Sequence, residues 1–430
     1  MQGFGFWMTV ALVMGNMIGS GIFLVPASLA PLRALALGGW IVSTAGALLL
    51  AAVFAYLARL QPAAGGPYAY TRRAFGDLPA FLVAWGYWIS MWTSLGALAV
   101  AFVGYLGSVF PALSRTPAAA AVTAMAAVWL LIAVNAAGVR AGGWVQAVTT
   151  LLKILPLAAI GAMGLVRFEP AHFAVQETEP RAIAAAISAG ATLTLWAFLG
   201  LESATVPAAS IHDADRTIPR ATIVGTLLTA AIYVASTVGV MSLVAPAALV
   251  TSQAPFADAA RTLWGGAGAT IVALGASISA FGALNGWVLL VGQLPLAVAA
   301  DGLFPRVFAR VSRTATPTIG MVIAGILTTV LVALNYTRGL VDLFTFFILL
   351  STLNTLVPYV FSTLAVFLLT DARGSRARAG IGITAALAFG YSLWAIAGAG
   401  QEIIYWGFLL LVCGLPVYVA VVRRGAMTRG

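Results

Sequence analysis

Long apolar runs, each closed by a short polar or basic stretch, recur from one end of the chain to the other. Runs of about 18 or more apolar residues match the length a helix needs to cross the hydrocarbon core of a bilayer. There every backbone polar group must be satisfied by the protein, which leaves helices or a closed barrel. The ten-residue alternation of barrel strands is absent, so helices are expected. The pattern predicts about twelve, over residues 3–32, 38–60, 79–110, 117–138, 143–166, 182–212, 220–246, 266–299, 317–336, 340–369, 380–398 and 403–422. No linker divides them, so residues 1–430 are expected to form one polytopic domain.

Composition agrees. Hydrophobic residues make up 62% of the chain and charged residues 8%, with a mean hydropathy of +1.02. Soluble domains carry about 25% charged residues, so a soluble fold could not clothe its surface. The net charge of +10 does not form a nucleic-acid face, because the basic residues lie in short loops between apolar runs. With the N-terminus inside, fifteen arginines fall in inner loops and tails, including Arg72, Arg216, Arg306 and Arg378. Six fall outside: Arg33, Arg115, Arg167, Arg181, Arg261 and Arg338. The positive-inside rule therefore puts both termini in the cytoplasm. The stretch Met1 to Trp7 has no basic region or cleavage site of a removable signal peptide. The lone cysteine, Cys413, is expected as a small buried hydrophobe of the last span, with no disulfide or metal role.

Two spans carry flaws in their interiors. The first holds Gly15-Asn16-Met17-Ile18-Gly19-Ser20-Gly21, and the sixth holds Trp196-Ala197-Phe198-Leu199-Gly200-Leu201-Glu202. A glycine costs a helix interior about 1 kcal/mol relative to alanine. The flaws occupy corresponding spans of two five-helix halves, and interrupted helices in matched positions point to a transporter's binding site. Close packing through small residues is the other reading of such glycines.

A broken helix frees N–H groups on one side and carbonyls on the other. The N–H end suits a carboxylate and the carbonyl end an ammonium group. Gly19, Ser20 and Gly21 are the candidate carboxylate binders; the carbonyls of Met17, Trp196, Ala197 and Leu199 are the candidate ammonium binders. Glu202 is the acidic residue set deep within a span, where ionisable groups are expensive and usually functional. It would pair with a cation, carry a proton or gate the path; the alternative is a carboxyl satisfied by backbone at the break. Lys153, in the fifth span, is the matching base. Burial lowers a lysine's pKa, so it could exchange protons near neutrality, unless it snorkels to an interface. Trp196 and Trp287 sit mid-span, where they either pack or stack on a cationic group. His172, in an outside loop, and His212, at an inside helix end, are expected to be solvated polar residues. No Walker motif, catalytic triad, paired carboxylates or His/Cys cluster is present, so neither an enzyme, ATP-driven transport, a cofactor nor a metal site is expected.

The run from Gly15 to Phe23 with Pro26 resembles the first helix of amino acid–polyamine–organocation transporters. Gly65-Gly66-Pro67-Tyr68-Ala69-Tyr70, the run from Trp196 to Ser203, and Thr355-Leu356-Val357-Pro358-Tyr359 carry the same resemblance, which covers almost the whole chain. It is closest to the basic amino acid/polyamine antiporter group, and there to the bacterial arginine/agmatine antiporters. The resemblance implies a multi-pass protein of a bacterial inner (plasma) membrane with a leucine-transporter-type fold. That fold would comprise two inverted repeats, approximately 3–166 and 182–369, plus extra helices over 380–422, and such proteins are commonly dimeric. It implies a carboxylate site at Ser20 and Gly21, Trp196 over a bound guanidinium, Trp287 in a gate, and Glu202 in pH sensing and gating. Asn16, Tyr68, Tyr87, Ser351, Thr355 and Tyr359 match other pathway or gate positions. Leu95 stands where the group has an asparagine, Ser90 and Met91 where it has alanine and cysteine, and Ala197 where it has a serine. These changes make one wall of the side-chain pocket more apolar. Lys153 instead resembles the fifth-helix lysine of proton-coupled relatives. The expected function is exchange of amino acids or their amine derivatives, of the arginine/agmatine type, in a lipid bilayer. The alternative is proton-coupled transport of a neutral or other cationic amino acid using Lys153.

Overall fold

The computed structural model describes residues 5–60, 66–137, 142–175, 177, 179–202, 211, 213–313, 316–370 and 375–427. Among these, ten helices are long and apolar enough to cross a membrane, and Phe6–Gly15 and Ile154–Val166 are shorter apolar helices at the first and fifth spans. Twelve crossings result, as the pattern predicts.

The first span is α1 (Phe6–Met17), a 3-10 turn (Ser20–Phe23) and α2 (Val25–Leu29). Spans two to five are α3 (Leu35–Leu60), α5 (Asp77–Val109), α6 (Pro117–Ala137) and α7 (Gly142–Val166), with the short helix α4 (Gly66–Phe75) between the second and third. The sixth span enters as α8 (Pro180–Leu195). Then follow α9 (Ala214–Leu243), the short α10 (Pro246–Leu249), α11 (Pro255–Ala300), α12 (Thr318–Asn335) and α13 (Leu340–Leu369). The eleventh span is α14 (Ser375–Gly398), and the twelfth is α15 (Gln401–Val412) with α16 (Gly414–Met427).

Two boundaries differ from the sequence pattern for local reasons. α11 begins eleven residues before the eighth apolar run, because a short helix precedes it across a kink at Gly265 (φ 70°). The last span divides at Cys413, which is exposed rather than buried. This corrects the sequence expectation: an outward-facing position of a peripheral span is apolar because it meets hydrocarbon, not because it lies in the core.

Depth in the bundle follows the same logic. The apolar window of α5 is 89% buried, whereas that of the twelfth span is 17% buried. α5 is thus a central post, touching both α11 and α13. The contacts show a regularity. α1 packs on α9 while α8 packs on α3, and α13 packs on α5 while α11 packs on α7. Exchanging each of spans one to five with the span five places further along turns each first pair into the second. The α3–α8 approach depends on small residues: a Cβ placed on Gly39 would sit 2.6 Å from the carbonyl carbon of Gly190. Without a hydrophobic drive between helices in lipid, such close backbone packing is what holds spans together.

Candidate functional site

Both predicted breaks are present. α1 ends at Met17, and Ile18 leaves helical geometry with ψ 75°. In the sixth span a 3-10 turn over Trp196–Phe198 ends at Leu199, which is extended (φ −62°, ψ 136°). Gly200 follows at φ 98°, a conformation open to glycine and strained for other residues.

The two breaks meet at a cavity of about 30 Å³. Its lining, among the described residues, is Met17, Gly19 and Ile22 from the first span and Trp196, Ala197 and Leu199 from the sixth. Ser94 and Leu98 of α5 and Trp287 of α11 complete it. One water needs about 10–15 Å³ on this measure, so the space holds about two waters and no whole amino acid. The conformation is therefore a contracted one, and a substrate must spread these walls.

Six of the residues singled out in the sequence line this cavity: Met17, Gly19, Trp196, Ala197, Leu199 and Trp287. The side chains of Asn16, Ser20 and Lys153 lie outside what the structure describes, as does His212, and of Gly21 only the backbone, in the Ser20–Phe23 turn, is described. Leu95 is fully buried and is not among the lining residues. Its neighbour Ser94 and Leu98 take the wall instead, because residues four apart share a helix face. Sequence reasoning passed over Ser94, Leu98 and Ile22; the α5 stripe through Tyr87, Met91, Ser94 and Leu98 was the available signal. Ser90 and Met91 are buried beside it, the Ser90 hydroxyl donating to the Tyr87 carbonyl at 2.8 Å.

The backbone groups at the first break are already engaged. The Met17 carbonyl accepts from the Gly19 N–H at 2.6 Å and from the Tyr233 hydroxyl at 2.6 Å. A carbonyl oxygen has two lone pairs, so both are used here. Gly19 and Met17 thus satisfy each other in this contracted state, and an incoming ammonium must displace one of these donors. The second half of the same span is tied separately: Tyr105 donates to the Phe23 carbonyl at 2.6 Å and accepts from the Phe256 N–H at 3.2 Å.

Just past the sixth-span break, Glu202 is 2% exposed. The Tyr87 hydroxyl donates to Oε1 at 2.6 Å and the Tyr359 hydroxyl to Oε2 at 2.7 Å. One carboxyl so bridges spans three, six and ten. Ser351 and Thr355 lie buried one turn apart on α13, with Thr355 Oγ1 donating to the Ser351 carbonyl at 3.0 Å. The remaining gate candidate, Tyr68 of α4, lies elsewhere: it donates to Asp301 Oδ2 at 2.9 Å. Arg72 reaches the same oxygen at 3.3 Å and Asp77 Oδ1 at 3.0 Å. Burial and then the adjacent Asp301 push the Tyr68 phenol above its ordinary range. His172 departs from its expected role, since its Nδ1 lies 3.0 Å from the Met241 carbonyl. No group of His, Cys, Asp and Glu able to hold a metal occurs among the described residues.

This arrangement agrees with what the chain resembles. A family model described as amino acid permease matches residues 4–422. The chain belongs to the amino acid permease family. Among relatives of this permease, a Bacillus subtilis (strain 168) protein named, provisionally, as an arginine/ornithine antiporter is 32% identical over 454 residues, covering 96% of each chain. The cadaverine/lysine antiporter of Escherichia coli (strain K12) is 35% identical over 370 residues, 83% of this permease and 82% of the relative. The putrescine transporter PotE of the same strain is 29% identical over 419 residues, 96% of this permease and 94% of the relative. The permease is thus a multi-pass membrane protein with the basic amino acid/polyamine antiporters among its relatives.

Proposed function

We propose that the chain exchanges a basic amino acid for an amine derivative across the inner membrane by alternating access, and is not an enzyme. The observation that carries this is the cavity shared by the two helix breaks, lined by Met17 and Gly19 on one side and Trp196, Ala197 and Leu199 on the other. Backbone amides of the Gly19-Ser20-Gly21 stretch receive the carboxylate, and carbonyls of the sixth-span turn receive the α-ammonium. Trp196 and Trp287 offer ring faces to a cationic side chain. Glu202, held by Tyr87 and Tyr359, closes the inner side together with Thr355. The relatives' names support exchange and a cationic substrate. The five-span regularity of the contacts supports inverted repeats over about 3–166 and 182–369, and the bias of arginines to one set of loops supports cytoplasmic termini.

The test is counterflow in liposomes. Vesicles preloaded with lysine, ornithine, arginine, cadaverine, putrescine or agmatine are offered each of the others. Expected is saturable exchange for at least one amino acid and an amine, with little uptake into empty vesicles. Uptake that ignores the internal substrate but follows an imposed proton gradient would instead support symport.

A further inference from the structure

We propose that Ser94 is a specificity-determining residue: its hydroxyl oxygen faces the cavity as a hydrogen-bond acceptor and selects substrates whose side chain ends in an ammonium or guanidinium group. The inference rests on the exchange reading above and adds to it the residue that reads the side chain.

Among the described cavity-lining residues, Ser94 alone carries a hydroxyl, and it comes from α5 rather than from either break. The breaks supply the backbone groups that suit the amino and carboxylate ends, so a side-chain wall has to come from elsewhere. Ser94 belongs to a cluster gathered on the Ser90 carbonyl, which the Thr93 hydroxyl also reaches at 3.0 Å while having the Ile89 carbonyl at 2.9 Å as its nearer acceptor. Ser94 Oγ lies 2.8 Å from Ser351 Oγ and 2.8 Å from the Ser90 carbonyl, and Ser351 Oγ lies 3.0 Å from that same carbonyl.

Two arrangements keep both protons on acceptors within 3.0 Å. Two hydroxyls supply two protons, and three oxygens stand ready to accept them. The short contact between the two hydroxyl oxygens requires a proton between them. Where Ser94 donates to Ser351, Ser351 donates to the Ser90 carbonyl and Ser94 keeps both lone pairs. Where Ser351 donates to Ser94, Ser94 donates to the carbonyl and keeps one. In either case both protons stay inside the cluster and the Ser94 oxygen presents only lone pairs to the cavity. Ammonium and guanidinium groups are donors without acceptors, so they complement this wall. A carboxylate meets lone pairs only, and an alkyl side chain strips water from the oxygen with nothing in return.

Lysine and norleucine test the idea, because norleucine is lysine without its terminal ammonium. Their inhibition constants for exchange are measured in liposomes holding the full chain, the Ser94→Ala variant or the Ser94→Thr variant. The parent is expected to prefer lysine. Ser94→Ala, which removes one oxygen, should cut the lysine-to-norleucine preference about tenfold or more, the scale of a hydrogen bond to a charged group. Ser94→Thr, which keeps the hydroxyl, should restore most of it. Thermal melting of both variants is followed to establish that they are folded. A preference that stays constant in folded Ser94→Ala overturns the role of Ser94, and leaves the ring faces of Trp196 and Trp287 as the readers. A parent that exchanges but prefers norleucine overturns it too, with exchange still standing. A parent that exchanges none of lysine, ornithine, arginine, cadaverine, putrescine and agmatine overturns the exchange reading itself.

Discussion

Glu202 and Asp301 are two carboxylates in the same hands. Each accepts a tyrosine hydroxyl, from Tyr87 and Tyr359 in one case and from Tyr68 in the other. Each also lies within two residues of a glycine in the left-handed region: Gly200 at φ 98° and Gly302 at φ 80°. They differ in depth. Glu202 is 2% exposed at the centre of the bundle, while the Asp301 side chain is 46% exposed at the end of α11 and shares Arg72. The same hydrogen bond therefore means different things in the two places. In the core an unpaired carboxyl has no water to turn to, so its partners are obligatory. At the rim water competes for every contact, and an ion pair there contributes about 0–1 kcal/mol.

The largest effect follows from depriving the buried site of its donors. Tyr359→Phe is expected to cost about 1.5–3 kcal/mol, the worth of a hydrogen bond to a charged group, read as a lower denaturation midpoint in detergent and slower exchange. Adding Glu202→Leu and Tyr87→Phe should recover part of the stability without recovering exchange, because the buried carboxyl is then no longer left short of a donor. Equal stability of Tyr359→Phe and the parent would mean that Glu202 does not depend on this phenol.

The glycines sharpen the same contrast. A non-glycine residue held in a sparsely populated backbone region costs about 1–3 kcal/mol. Gly200→Ala should therefore destabilise the chain and, by shifting the break that carries Glu202, reduce exchange further than stability alone explains. Gly302→Ala carries a similar backbone cost, with no atom within 4 Å of the added Cβ. Its exchange, corrected for folded protein, should match the parent. If the two variants lose exchange in parallel, the sixth-span break has no special part in transport.

Asp301→Asn comes next. Arg72 retains Asp77, and the amide oxygen still accepts from Tyr68, so the change should stay within about fivefold in exchange, about 1 kcal/mol. It should shrink further at high salt, where exposed charges are screened. A loss of tenfold or more would make the rim cluster a gate in its own right.

How much of this was legible follows the same division. Twelve spans and two breaks could be read because apolar length and clustered glycines act locally, residue by residue. Glu202 could be singled out because a lone acid in an apolar run is costly wherever its partners lie. The resemblance puts both Glu202 and Tyr359 at gate positions without joining them, since 157 residues separate them and no local pattern encodes the contact. Leu95 and Ser94 show the limit most sharply. One residue along a helix is about a quarter turn, and only packing against α13 decides which of the two meets the cavity. Tyr233 was missed for a like reason, because a tyrosine in an apolar span gives no sign that its hydroxyl will hold the Met17 carbonyl.

The smallest effect concerns acid and base at the rim. Burial and Asp301 raise the Tyr68 pKa above its ordinary value, so the neutral phenol is the form the fold favours. A group raised on folding contributes its stability in full below its unfolded pKa, about 10 for tyrosine, and loses it as pH climbs past that value toward the folded one. Between pH 5 and 9 the phenol thus stays protonated and keeps donating to Asp301. Tyr68→Phe should lower exchange slightly and evenly across that range, leaving the shape and midpoint of the pH profile as in the parent. A profile that changes shape in Tyr68→Phe would place a titrating group in the rim cluster, and would make its difference from Glu202 one of degree rather than of kind.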